Sequence, residues 1–289
     1  MSSALQMAVI IAIAPLAQGV MKQLRARLQG RPGPSILQPY RDLRKLWWKE
    51  ALVAEDTSPI VGIAPGVALG VALTFAAMVP PVFGASWFPS ADAIALALVL
   101  ALGRFIAVLA ALDTRSGFSG MAASREMTFG ALTEAPLLLA LLSAALGGNS
   151  SLTHLHAGGS AASGLLAAGA LMLVMLCETA RVPVDNQETH YELTMIHEGL
   201  VLEYSGWQLA ATQLAAYIRQ ASFFVLAAWL LPFGGWVVIA WCIGFLILMP
   251  IIETAYAKMR LFEVPQLFTA ALVLGIAAIT IQIMGIAKL

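Results

Sequence analysis

The chain has 289 residues, of which 60% are hydrophobic and 11% are charged. A soluble domain carries roughly 25% charged residues, so this composition, with a mean hydropathy of +0.84, excludes an ordinary soluble enzyme and points to an integral membrane protein. Sixteen bases balance sixteen acids, so the net charge argues for no nucleic-acid partner, and the placement of charge carries the information.

A membrane-crossing helix needs about 20 apolar residues. The segments 4–21, 60–83, 92–112, 128–146, 161–176, 207–231, 236–252 and 264–286 meet that need. The expected fold is therefore an all-α integral membrane protein with about eight transmembrane helices, one membrane domain over 1–289. The first apolar run has its bases after it and none before, so it reads as a span and not as a cleaved leader. Thirteen of the sixteen bases fall in the connections 22–59, 113–127, 178–206 and 258–263, and the alternate connections hold none. Excess Lys and Arg mark the cytoplasmic side, which places these four loops in the cytoplasm and both termini outside.

The first cytoplasmic loop begins with a Pro- and Gly-rich turn, LQGRPGPSILQP. Tyr40–Glu50 then sets Leu43, Leu46 and Trp47 on one helical face, with Arg41, Arg44, Lys45 and Lys49 mostly on the other. Such a basic amphipathic helix lies in the membrane interface or docks a partner chain. In the second span Gly62, Gly66 and Gly70 recur every four residues, a spacing that lets another helix approach closely.

Arg104 lies inside the third span. A cation there costs about 2.5–3.5 kcal/mol on insertion scales, so it should face the protein interior and pair with a carboxylate. Glu134, in the fourth span, is the first candidate. Burial raises the pKa of such an acid and a nearby arginine lowers it, which suits a group that binds and releases a proton. Arg125 and Glu126 lead into that span. His154 and His156 form a lone pair in an outer loop, too few ligands for a metal site. Cys177 and Cys242 both lie in apolar segments, with no ligand-like spacing.

The stretch 177–206 is the densest in charge. It holds Glu178, Asp185, Glu188, Glu192, Glu198 and Glu203, six of the sixteen acids, with Arg181. Glu178 and Arg181 are three apart, so a continuous helix would put them on one face. Pro183 should stop that helix. Asp185 and Glu188 suit the N-cap and third position of a new helix. His190 and His197 titrate near neutral pH and can relay protons. Arg219, inside the sixth span, needs an interior partner that the sequence does not name.

Three motifs carry a resemblance over essentially the whole chain. They are GRPGPSILQPYRDLRKLWWKE, SGFSGMAASREMTFGALTEAP, and ETARVPVDNQETHYEL followed by LEYSG. They resemble the H-type membrane subunit of respiratory complex I. They are more similar still to the matching membrane subunit of energy-converting group 4 nickel–iron hydrogenases of the formate hydrogenlyase and hydrogenase-4 type. The resemblance implies a non-catalytic subunit that anchors a peripheral arm and couples its electron transfer to proton or sodium translocation. A bacterial or archaeal cytoplasmic (inner) membrane is implied as its location. Glu134, Glu178, Asp185, Glu188, Glu192, Glu203, Arg104 and Arg181 are the implied proton-path and coupling residues. Arg41, Arg44, Lys45, Arg125, Glu126, His190 and His197 are the implied arm interface, on loops 22–59 and 178–206. The implied partners are hydrogenase-like large and small subunits, a ferredoxin-like subunit and antiporter-like membrane subunits. Iron–sulfur clusters and a nickel–iron centre are expected on those partners, and no cofactor on this chain. A shorter first loop, His190 in place of an acid, and KMRLFEVPQ at 258–266 set the chain on the hydrogenase branch. The alternative is the H-type, quinone-site membrane component of an NADH:quinone oxidoreductase.

Overall fold

The computed structural model describes residues 3–53, 57–83, 92–146, 160–185, 195–231 and 235–286. These form long helices α1 (Ser3–Leu28), α3 (Pro59–Met78), α4 (Ala93–Asp113), α5 (Gly117–Ala145), α6 (Ala161–Glu178), α8 (Gly206–Leu230), α9 (Trp236–Ala255) and α10 (Val264–Ile286). Two short helices, α2 (Gln38–Trp47) and α7 (His197–Leu200), lie in the connections. Seven of the long helices are apolar and long enough to cross a membrane.

The remaining long helix, α8, has 25 residues and takes the place of the sixth expected span. It carries Gln208, Gln213, Arg219 and Gln220, and so lacks the hydropathy of the others. Its position explains this. It touches α1, α2, α3, α6 and α9, so its polar groups meet protein where an outer helix would meet lipid. Gln208 and Gln220 are both buried. Phe75 of α3 meets Phe223 of α8 edge-on, with ring centroids 4.9 Å apart, a favoured aromatic geometry. On the far side α5, α6 and α10 pack as a trio through Leu137, Leu141, Leu171, Met175 and Phe268.

Hydrogen bonds tie the loops into two ends. At one end Ser58 N donates to Asp113 Oδ2 (2.6 Å), Leu52 N to Ser205 Oγ (2.7 Å) and Met259 N to the Pro183 carbonyl (2.9 Å). At the other, Gln6 Nε2 and Trp229 Nε1 both donate to the Pro80 carbonyl, and Ser160 N donates to Gln282 Oε1. All four base-rich connections thus meet at one end, as the charge pattern predicts. Gly206 sits there with φ of 54°, and a Cβ on it would lie 2.5 Å from the Lys49 carbonyl oxygen. The first loop therefore rests directly on the start of α8, and only glycine fits.

Among the described residues, the Gly62, Gly66 and Gly70 stripe meets no neighbouring helix: apart from the nearby backbone of α3 itself, no heavy atom lies within 4 Å of a Cβ added at any of the three. The close approaches occur elsewhere: Gly103 against Val71, and Gly164 against the Leu230 carbonyl. Small residues permit contact, but the larger neighbours decide which face is used.

Candidate functional site

Arg104 of α4 is 7% exposed and gathers carboxylates from two other helices. Its Nη1 donates to Glu134 Oε1 at 3.1 Å, and its Nη2 donates to Glu178 Oε1. Glu126 Oε1 lies 3.9 Å from Nε. Thr133 Oγ1 is 3.3 Å from the same Glu178 oxygen. The expected Arg104–Glu134 pair is therefore present within a larger cluster. The guanidinium lies across Gly130, where a Cβ would come within 2.4 Å of Arg104 Cδ. Glu134 differs from its neighbours, since its side chain is 46% exposed on the outer face of α5.

Beside this cluster His197 of α7 places Nδ1 3.8 Å from Glu126 Oε1 and Nε2 3.4 Å from Arg219 Nη2. His197 is thus the partner of Arg219 that the sequence left open. The same contacts bury most of the Glu126 and His197 side chains, which are 12% and 15% exposed. Burial disfavours the charged imidazole, but the Glu126 carboxylate more than offsets it and holds the His197 pKa above its usual value.

A second guanidinium, Arg181, has different surroundings. Nη1 donates to Glu253 Oε1 at 3.1 Å, and Nη2 donates to Gln220 Oε1 at 2.7 Å and to Gln18 Oε1. Arg25 Nη1 also reaches Glu253, at 3.3 Å. Glu178 and Arg181 thus face apart, contrary to the shared face that a continuous helix would give. The reason is local. Helix α6 ends at Glu178, Ala180 takes φ of 50°, and Arg181 N donates back to the Leu176 carbonyl at 2.8 Å. This turn closes the helix and swings Arg181 toward α8 and α9.

Asp185 is 1% exposed. One oxygen accepts from Lys258 Nζ at 2.7 Å, and the other accepts from the backbone N–H groups of Ile196 (3.1 Å) and His197 (3.3 Å). It therefore caps the start of α7, and the helix expected to begin at Asp185 itself falls on 186–194, outside the described residues. Arg125 Nη1 donates to the Met195 carbonyl at 2.9 Å, so the segment bearing His197 is held at both sides. Arg41, Arg44 and Lys45 are exposed on α2, and Glu203 is exposed near Leu52 and Thr57, apart from the Arg104 cluster. Glu188, His190 and Glu192 lie outside the described residues.

Two cavities flank His197. One, of about 40 Å³, is lined by Arg104, Glu126, His197 and Arg219. The other, of about 360 Å³, opens between α1, α7 and α8 and is lined by Lys22, Arg25, Arg181, His197, Glu198 and Tyr204. Burial pushes the Tyr204 phenol up to about 12, so it stays neutral in this wall. Among the described residues no three His, Cys, Asp or Glu side chains are grouped to hold a metal. Gln18, Gln220 and Glu253 were not singled out by the sequence as members of a site. Nothing in a lone glutamine marks the helix it will face.

The family model described as NADH dehydrogenase matches residues 2–284. Hydrogenase-4 component C of Escherichia coli (strain K12) is 35% identical over 249 residues, spanning 79% of this chain and 74% of that protein. Formate hydrogenlyase subunit 4 of the same strain is 34% identical over 225 residues, spanning 73% and 72%. A chain of the membrane-bound sulfane sulfur reductase, an archaeal respiratory membrane complex, superposes with a TM-score of 0.80 over 97% of this chain and 98% of its own length. At 18% identity that likeness shows the fold.

Proposed function

We propose a function from the premise that the chain belongs to the NADH dehydrogenase family and shares its fold with a subunit of a respiratory membrane complex. It is a multi-pass membrane subunit that couples electron transfer in a hydrogenase-type peripheral arm to proton or sodium translocation. The complex it serves is of the formate hydrogenlyase and hydrogenase-4 type.

One observation carries the coupling role. The carboxylates of Glu126, Glu134 and Glu178 converge on Arg104, with Arg219 as the second arginine of that group. Among the described residues, three acids against two permanent cations leave one negative charge unmatched. In a low-dielectric interior an unmatched charge is costly, so the cluster favours taking up one proton. It lies beneath the loops that gather at one end of the bundle. The exposed carboxylate of Glu134 at the far side of the cluster would be costly against lipid, which suits cover by another membrane subunit of antiporter-like type.

In this reading the arm consists of hydrogenase-like large and small subunits and a ferredoxin-like subunit. They hold the iron–sulfur clusters and the nickel–iron centre, and the exposed Arg41, Arg44 and Lys45 of α2 meet them. The complex sits in the cytoplasmic membrane of a bacterium or archaeon, with both termini outside. Purification through a tag on this chain, followed by identification of the accompanying chains and metals, tests this. Nickel, iron and hydrogenase-like subunits are expected. Isolation of the chain alone from gently solubilised membranes contradicts it.

A further inference from the structure

The side chain of His197 belongs to the walls of both cavities. Among the described residues it is the side chain titrating near neutral pH that separates the larger, open cavity from the buried acids. Its two ring nitrogens face opposite kinds of partner. Arg219 Nη2 is a donor only, so Nε2 accepts from it at 3.4 Å. The ring proton then sits on Nδ1, which faces the Glu126 carboxylate at 3.8 Å. Both His197 Nδ1 and Arg219 Nε are buried without a hydrogen-bond partner among the described residues. The backbone of His197 is fixed by Asp185, so the ring can move while its anchor stays.

We propose that His197 carries protons from the open cavity to Glu126, and that Arg219 gates the step by occupying or leaving Nε2. This deepens the coupling role proposed above and rests on it. When Arg219 withdraws, a proton from water in the open cavity binds Nε2 and gives an imidazolium. The Nδ1 proton then passes to Glu126, directly after a small closure of the 3.8 Å gap or through one water. One O–H bond breaks on a hydronium in the open cavity as one N–H bond forms at Nε2, and one N–H bond breaks at Nδ1 as one O–H bond forms on Glu126. No electron moves. Water-relayed transfer of the remaining ring proton from Nε2 to Nδ1, one N–H bond broken and one formed, restores the starting tautomer. The 40 Å³ cavity beside the ring has room for one or two waters.

The charges around the ring set its working range. Glu126 from α5 and Glu198 from α7 favour its protonated form, and Arg219 from α8 opposes it. Arg104 from α4 lies across the small cavity, with neutral Tyr204 in the wall of both. Lys22, Arg25 and Arg181 line the far side of the larger cavity. Removal of the Arg219 charge should therefore raise the His197 midpoint, and removal of the Glu126 charge should lower it.

The test uses the whole complex in sealed vesicles. His197→Gln should slow coupled proton uptake roughly tenfold or more, with electron transfer to a soluble acceptor retained. Added imidazole, which fits the open cavity, should restore much of the rate. A purely structural histidine would show no such rescue. Full-rate uptake in His197→Gln, or no imidazole rescue in the assembled variant, overturns the proposal. If that variant does not assemble, the His197 midpoint measured by NMR of labelled imidazoles decides. It must rise in Arg219→Gln and fall in Glu126→Gln, and no movement in either overturns the proposal. Loss of uptake in Glu134→Gln together with normal uptake in His197→Gln would sink this inference alone. Normal uptake in both would sink the coupling reading as well.

Discussion

Arg104 and Arg181 are both buried guanidiniums in the same bundle, yet their surroundings differ in kind. Arg104 meets three carboxylates and a threonine, so its group has surplus acid. Arg181 meets one carboxylate, which it shares with Arg25, and the amides of Gln18 and Gln220. Among the described residues the arginines there outnumber the acid. Arginine does not deprotonate in proteins and amides do not titrate, so Arg181 and its amide partners hold no proton to exchange. The first group has acid to spare for a proton and the second does not. The difference separates a site suited to coupling from one suited to holding α1, α6, α8 and α9 together.

Mutations that strike the fixed group should have the largest effect on stability. Glu253→Leu removes the acid from between Arg25 and Arg181 and takes away the carboxylate that the buried Arg181 guanidinium meets. A loss of about 3–5 kcal/mol is expected, read as thermal unfolding of the purified complex. A loss under about 1 kcal/mol would show that the group is not structural. Next comes Gly130→Ala. The added methyl cannot coexist with the Arg104 side chain as placed. Overpacking of this kind costs about 1–3 kcal/mol, and coupled ion movement should fall because the guanidinium is displaced.

The smallest effect sharpens the comparison at its hinge. Ala180 holds the left-handed turn that separates Glu178 from Arg181. This conformation costs a residue with a Cβ about 1–2 kcal/mol, so Ala180→Gly should stabilise by up to about 1 kcal/mol without loss of coupling. Destabilisation would mean that the Ala180 methyl matters more than the turn.

The pH dependence gives an independent check on the titrating side. The folded-state pKa of His197 is raised, chiefly because Glu126 outweighs the effect of burial. Its pairing therefore adds stability that is complete below the ordinary histidine value of about 6.5. That stability is lost as pH rises through the raised value. Stability of the wild type should decline across this window, and the decline should be absent in His197→Gln. An unchanged profile would contradict the His197–Glu126 pairing.

Much of the fold was legible because it follows from local pattern. Apolar runs and clustered bases give the long helices and the end at which their loops meet. The face pattern of YRDLRKLWWKE gives α2, found at Gln38–Trp47. The Arg104–Glu134 pair was legible because a charge inside a span must find an opposite charge nearby. The rest depends on tertiary placement. The split between Glu178 and Arg181 comes from one left-handed alanine, a conformation usually signalled by glycine. Asp185 has the composition of an N-cap, and nothing local signals that it also binds the start of α7, twelve residues later. Glu126 beside Arg125 reads as a surface pair, and only the packing of α5 against α7 turns the acid inward.

The central claim is that the Arg104 group moves protons and the Arg181 group does not. Its most direct test is the ratio of protons moved to electrons transferred in sealed vesicles, measured for Glu178→Gln and for Gln220→Glu. Glu178→Gln keeps the shape beside Arg104 and removes the titrating charge, while Gln220→Glu supplies an acid where Arg181 and Arg25 already outnumber one. A ratio near zero for Glu178→Gln, with electron transfer intact and a wild-type ratio for Gln220→Glu, is the predicted result. An unchanged ratio for assembled Glu178→Gln would contradict the account.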